Sequence, residues 1–183
     1  QDDLQAQRPS NHHEFADRVV AMLTATYQGD TAKAAALLRQ DPLLLHAVGP
    51  VDYWSIPQSP LHVAVTHENR AMIDFLLHEG ADINARNDDG ESVLHLTWRF
   101  RDTASLSTLV ALGAKVNARD DRGRTPLHAA NDILCVEKLI GLGADVNACD
   151  DVGRTPIYHA SSNIVALLTS HGVFGGVSPM WWL

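Results

Sequence analysis

The 183-residue chain predicts an all-α fold, a solenoid of antiparallel helix pairs. Three observations carry that expectation. The phrase Gly80-Ala-Asp-Ile-Asn84-Ala returns as Gly113-Ala-Lys-Val-Asn117-Ala and again as Gly143-Ala-Asp-Val-Asn147-Ala. A second phrase moves in step with it: Ser59-Pro-Leu-His62, Ser92-Val-Leu-His95, Thr125-Pro-Leu-His128 and Thr155-Pro-Ile-Tyr158. His62, His95 and His128 are 33 residues apart, and Tyr158 follows after 30. Self-similarity at a fixed period of roughly 20 to 50 residues marks stacked supersecondary units. Between the phrases, apolar residues recur at three-to-four spacing, the period of a helix with one buried face.

Five units follow in order, within one domain spanning 1–183. The first, 13–47, places one helix over Phe15–Gln28 and a second over Thr31–Arg39, with Asp30 or Thr31 as cap and Asp41-Pro42 as stop. It lacks the Pro-Leu-His phrase, as a terminal cap whose outer face meets water can. The second unit is 48–86 and the third 87–119. In the second and fourth units, Ser59 and Thr125 cap an inner helix, and Pro follows at the first turn, where its missing N–H costs nothing. Ala64 and Ala130 are expected to let helices approach closely. The outer-helix core is expected from Ile73, Phe75, Leu76 and Leu77, then Leu106, Leu109, Val110 and Leu112, then Val136, Leu139, Ile140 and Leu142. Gly80, Gly113 and Gly143 end those helices with φ > 0. Asn87–Gly90, Asp120–Gly123 and Asp150–Gly153 form the tips that link units. The fourth unit, 120–149, and the fifth, 150–172, are shortened: 15 residues separate His128 from Gly143 and 14 separate Tyr158 from Gly172, against 18 in the second and third units. The three lost residues, about 4.5 Å of helix, fall between inner and outer helix. A Trp-rich tail occupies 173–183.

The Thr-Pro-Leu-His-x-Ala phrase on a 33-residue beat resembles the ankyrin repeat, and the likeness covers about Phe15 to Gly172. The resemblance implies an ankyrin-repeat solenoid linked by β-hairpin-like loops, with a concave face lined by inner helices and hairpins. It implies that His62, His95 and His128 hydrogen-bond locally and tighten a turn. It also implies a protein-binding role. The chain departs from the pattern at His95-Leu-Thr-Trp98-Arg99-Phe100-Arg101-Asp102, where small residues are usual. It departs again at Asp52-Tyr53-Trp54 and at Trp181-Trp182. The expected partner surface is therefore Tyr53, Trp54, His67, Trp98, Arg99, Phe100, Arg101, Asp102, Trp181 and Trp182. Rings serve there as anchors and arginines as carboxylate or phosphate partners. In the alternative reading, the tail, Trp54 and Trp98 wall a small-molecule pocket that performs acid–base chemistry of an isomerase, cyclase or lyase type. Its candidates are His67, Asp102, His159 and Asp52. A third option is assembly through the tail.

Composition narrows the classes. The net charge of −8 disfavours nucleic acid, which wants a basic face. No run of apolar residues is long enough for a membrane span. Ten histidines invite a metal, but His12-His13-Glu14 is a poor preformed site and no Cys-x-x-Cys or His-x-x-x-His occurs. No metal and no cofactor are expected. Cys135 and Cys149 read as free thiols of a reducing, intracellular compartment. No secretory signal is visible in Gln1–Ser10, although a start at Gln points to a trimmed chain. Another protein is the expected partner, with a small molecule as the alternative, and a monomer or weak dimer as the state.

Overall fold

The computed structural model describes residues 10–49, 57–99 and 103–173. It divides into two compact units, Gln1–Asp82 and Ile83–Leu183. Among the described residues there are eight α-helices, three 3₁₀ segments and no strand longer than an isolated bridge between Gly49 and Gln58.

The first unit holds two helix pairs. Helix α1 (Ser10–Gln28) packs on α2 (Thr31–Gln40), and α3 (Pro60–Thr66) on α4 (Arg70–His78). The pairs stack in register, α1 against α3 and α2 against α4. Met22, Leu23, Leu44, Leu61, Met72 and Leu76 are almost wholly enclosed. Asp30 caps α2 by accepting from the Lys33 N–H at 2.9 Å. Asp41 ends that helix and then caps a 3₁₀ turn, Pro42–Leu45, through the Leu43 N–H.

The second unit repeats this plan with altered lengths. Its inner layer is a 3₁₀ segment Val93–Arg99, then α6 (Pro126–Ala129), then a second 3₁₀ segment Pro156–His159. Its outer layer is α5 (Ala104–Ala111), α7 (Ile133–Gly141) and α8 (Ser162–Ser170). Successive inner elements pack on one another, as do α5 with α7 and α7 with α8. The outer helices keep eight or nine residues. The whole shortening falls on the inner side, which drops from seven residues in α3 and Val93–Arg99 to four in α6 and Pro156–His159.

Several expected core residues move. Met72 is buried where Phe75 and Leu77 are half-exposed, because α4 turns its 72/73/76 stripe inward. Leu112 is 47% exposed, since α5 ends at Ala111 and Leu112 lies past the last helical turn. Cys135 takes the place beside Val136 and Leu139, while Ile140 and Leu142 are half-exposed. Ala64 is fully buried, but Ala130 follows the end of α6 in extended backbone and is half-exposed, so it does not mediate helix packing. Gly80, Gly113 and Gly143 have φ of +96°, +101° and +94°, as the helix ends require.

Candidate functional site

The linking tips are built alike. Asp120 and Asp150 are buried, and each Oδ1 accepts two backbone N–H groups, those of Arg122 and Arg124 and those of Val152 and Arg154, at 2.8–3.0 Å. Each Oδ2 takes the Nε–H of Arg124 or Arg154 at 2.7 and 2.8 Å. Burial works against the charge on both carboxylates, yet these backbone and guanidinium donors outweigh it and hold both below the usual aspartate range. Asn87 closes the first tip with the same Oδ1 geometry and donates its Nδ2–H to Glu91.

These folded-back tips present carbonyls to the histidines. His95 Nε2 lies 2.9 Å from the Arg124 carbonyl, and His128 Nε2 lies 3.0 Å from that of Arg154. A carbonyl only accepts, so each Nε2 carries the proton and each Nδ1 is the acceptor. Nδ1 of His95 receives the Ser92 N–H at 3.1 Å and faces its hydroxyl at 3.0 Å. Nδ1 of His128 does the same with Thr125, at 3.0 Å for both. Each imidazole therefore tightens its own turn, as expected, and also clamps it to the tip of the following repeat. Burial lowers both histidine pKa values. Their carbonyl partners and nearby carboxylates, Asp120 and Glu91 for His95 and Asp150 and Asp120 for His128, oppose this only in part. Asn84 and Asn117 add a second tie. Asn84 donates to the Gly113 carbonyl and accepts from the Lys115 N–H, and Asn117 treats Gly143 and Asp145 likewise.

The shortened inner elements leave two adjoining clefts. One, of about 250 Å³, is lined by Arg122, Arg124, His128, Asp150, Arg154, Thr155, Pro156 and Tyr158. The other, of about 200 Å³, is lined by His128, Ala129, Ala130, Asn131, Pro156, Ala160, Ser161 and Ile164. They share His128 and Pro156, so they form one groove. Tyr158 stands where the other repeats have His. It is half-exposed, with the Arg154 guanidinium carbon 5.3 Å from its ring centre.

Of the residues expected at the site, His67 is described in full. It ends α3, is exposed, and meets Tyr27 edge-on with ring centres 4.5 Å apart. Asp52, Tyr53, Trp54, Phe100, Arg101, Asp102, Trp181 and Trp182 lie outside the described residues, as do the side chains of Trp98, Arg99 and His159. Sequence reasoning located the shortening but missed its lining: Arg122, Arg124 and Arg154 belong to tips that read as turn punctuation. The available signal was the missing three residues after Ala130. Among the described residues no group of three or more His, Cys, Asp or Glu could hold a metal, and no helix is long and apolar enough to cross a membrane.

The second unit is thus a helical repeat, tied across its repeats by His-to-carbonyl and Asn-to-backbone bonds. Two family models identify the repeat. One for ankyrin repeats in three copies matches residues 61–133, and one for the single ankyrin repeat matches residues 122–151. The chain is an ankyrin-repeat protein, all-α, and such repeats generally mediate protein–protein interaction. No curated protein matches the chain.

Proposed function

We propose that this chain binds another protein along the groove on the inner side of its shortened repeats. The observation that carries this reading is the pair of adjoining clefts lined by residues from Arg122 to Ile164, where inner elements of four residues replace elements of seven. Ala129, Ala130, Ala160 and Ser161 keep the floor low, so a partner's backbone can approach. The groove walls are helix-borne or held by the tip hydrogen bonds, which limits the ordering cost of association. The segment Trp98–Asp102 is proposed to contribute two rings and two arginines to partner binding. Tyr53, Trp54 and His67 are proposed as further partner contacts, and His67 already exposes a ring pair with Tyr27. Trp181 and Trp182 supply further anchors.

The small-molecule reading draws no support from the described residues. Neither cleft is lined by a residue expected to wall or serve such a pocket. The groups with shifted pKa are committed to the tips, to the histidine clamps and to Cys135 in the core of α7.

The test fills the groove. Ala130→Trp places an indole in the cleft at a residue outside any helix, which spares the fold. Partners or display-selected peptides that bind the wild-type chain are expected to lose binding to this variant while its helical circular dichroism and unfolding midpoint stay unchanged. Binding that survives Ala130→Trp rules the groove out.

A further inference from the structure

The groove's charge identifies the chemistry of its occupant. The chain carries −8 overall, yet the larger cleft is lined by three arginines against one aspartate, with His128 neutral. Two of the arginines are committed. Arg124 is held by Asp120 at 2.7 Å, with Glu91 at 3.8 Å, and Arg154 is tied through Nε to Asp150 and stacked over Tyr158. Arg122 is different. Its backbone is fixed, the N–H on Asp120 and the carbonyl accepting from the Asp151 N–H at 3.0 Å. Its side chain is exposed and makes no ion pair with any described residue. A guanidinium on an anchored backbone, beside an apolar floor of Pro156 and Tyr158, matches a carboxylate carried next to an apolar side chain.

Resting on the groove reading above, we infer that the partner enters as an extended acidic segment. A carboxylate pairs with Arg122, an adjacent apolar or aromatic side chain lies over Tyr158 and Pro156, and the backbone passes over Ala129, Ala130 and Ala160. A basic segment would meet the exposed guanidinium of Arg122, while Asp120, Glu91 and Asp150 are already taken up by Arg124 and Arg154. A purely apolar one would leave Arg122 desolvated and unpaired.

The experiment selects from a displayed library of random twelve-residue peptides on the full chain, then measures the winners as fluorescein-labelled peptides by anisotropy. The inference expects Asp- and Glu-rich winners with an interleaved apolar or aromatic residue. Affinity should fall about tenfold for Arg122→Glu, the size of one charge-assisted hydrogen bond lost. It should hold within twofold for Lys115→Glu, the same charge change at an exposed residue outside the groove. Raising salt should weaken it further. Neutral or basic winners that are lost on Ala130→Trp overturn the acidic assignment and leave the groove standing. Winners indifferent to both Ala130→Trp and Arg122→Glu, or no winners, overturn both. Equal losses for Arg122→Glu and Lys115→Glu reduce the effect to net charge and overturn the assignment of Arg122.

Discussion

Replacing His95 by Ala tests how much an imidazole that bonds both its own turn and the next repeat contributes to stability. His95 is 1% exposed. Alanine strips the Nε2–H from the Arg124 carbonyl and the Nδ1 acceptor from the Ser92 N–H, bonds of 2.9 and 3.1 Å. Ser92 is itself buried, so its N–H cannot turn to water. A buried group left unsatisfied costs roughly 1–3 kcal/mol, and the vacated imidazole volume adds a cavity term. The carbonyl is only partly enclosed and falls at the low end. The sum is about 3–5 kcal/mol, a large share of the roughly 5–15 kcal/mol that stabilises a typical domain. His128→Ala removes the same bonds at a half-exposed residue, where water can replace some of them, and is expected to cost about 1–3 kcal/mol. Urea unfolding followed by circular dichroism measures both. A loss below about 1 kcal/mol for His95→Ala, or a larger loss for His128→Ala than for His95→Ala, refutes the clamp argument.

The remaining predictions concern pH, glycine, surface charge and thiols. His95 and His128 fold with pKa values lowered from 6.5, so below that pH the unfolded chain binds more protons than the folded one. Stability is full above about 6.5 and falls as pH drops below it, by at most about 1.4 kcal/mol per pH unit for each histidine. Denaturant midpoints across that range check this, and His95→Ala should flatten the slope. A Cβ at Gly123 would collide with Arg119 and Asp151, whereas at Gly143 it would meet open space. Both Gly123→Ala and Gly143→Ala should cost roughly 1–2 kcal/mol of left-handed strain, and Gly123→Ala should add less than about 1 kcal/mol, because the half-exposed ends of Arg119 and Asp151 can move aside, as measured by unfolding midpoints. The Arg119–Asp151 pair is half-exposed on both sides, so Arg119→Lys should change stability by less than about 1 kcal/mol in low salt and less again in high salt. Cys135 is buried and its thiol is pushed up, by burial first and by Asp132 second, while Cys149 is half-exposed. One thiol per chain should react rapidly with a disulfide reagent, and Cys149→Ser should abolish that fast phase.

The sequence made the repeat legible because its punctuation is local. Ser59-Pro60 and Thr125-Pro126 start inner elements, Gly80, Gly113 and Gly143 end outer ones, and both signals lie within a few residues of the structure they specify. The distance from His128 to Gly143 likewise foretold the shortened units. What the sequence concealed joins residues 26 to 31 positions apart. The second hydrogen bond of His95 and His128 and the roles of Asn84 and Asn117 depend on how one repeat lies on the next, and a recurring letter does not say what it bonds. The 3₁₀ form of Val93–Arg99, with its break at Leu96, also escaped prediction, since apolar spacing over seven residues fits either helix. At the candidate site, Trp98–Asp102 was conspicuous as chemistry, whereas Arg122 looked like an ordinary tip residue. Only its placement over the shortened unit makes it a groove wall.

The central claim is that the inner groove of the shortened repeats receives a partner, and amide NMR shift mapping tests it most directly. Titrating the isotope-labelled chain with a display-selected peptide should perturb Arg122, Ala129, Ala130, Asn131, Tyr158 and Ala160 in a saturable manner. Shifts that instead gather on the exposed faces of α7 and α8, at Leu134, Glu137 and Ala166, with the groove amides unmoved, would contradict it.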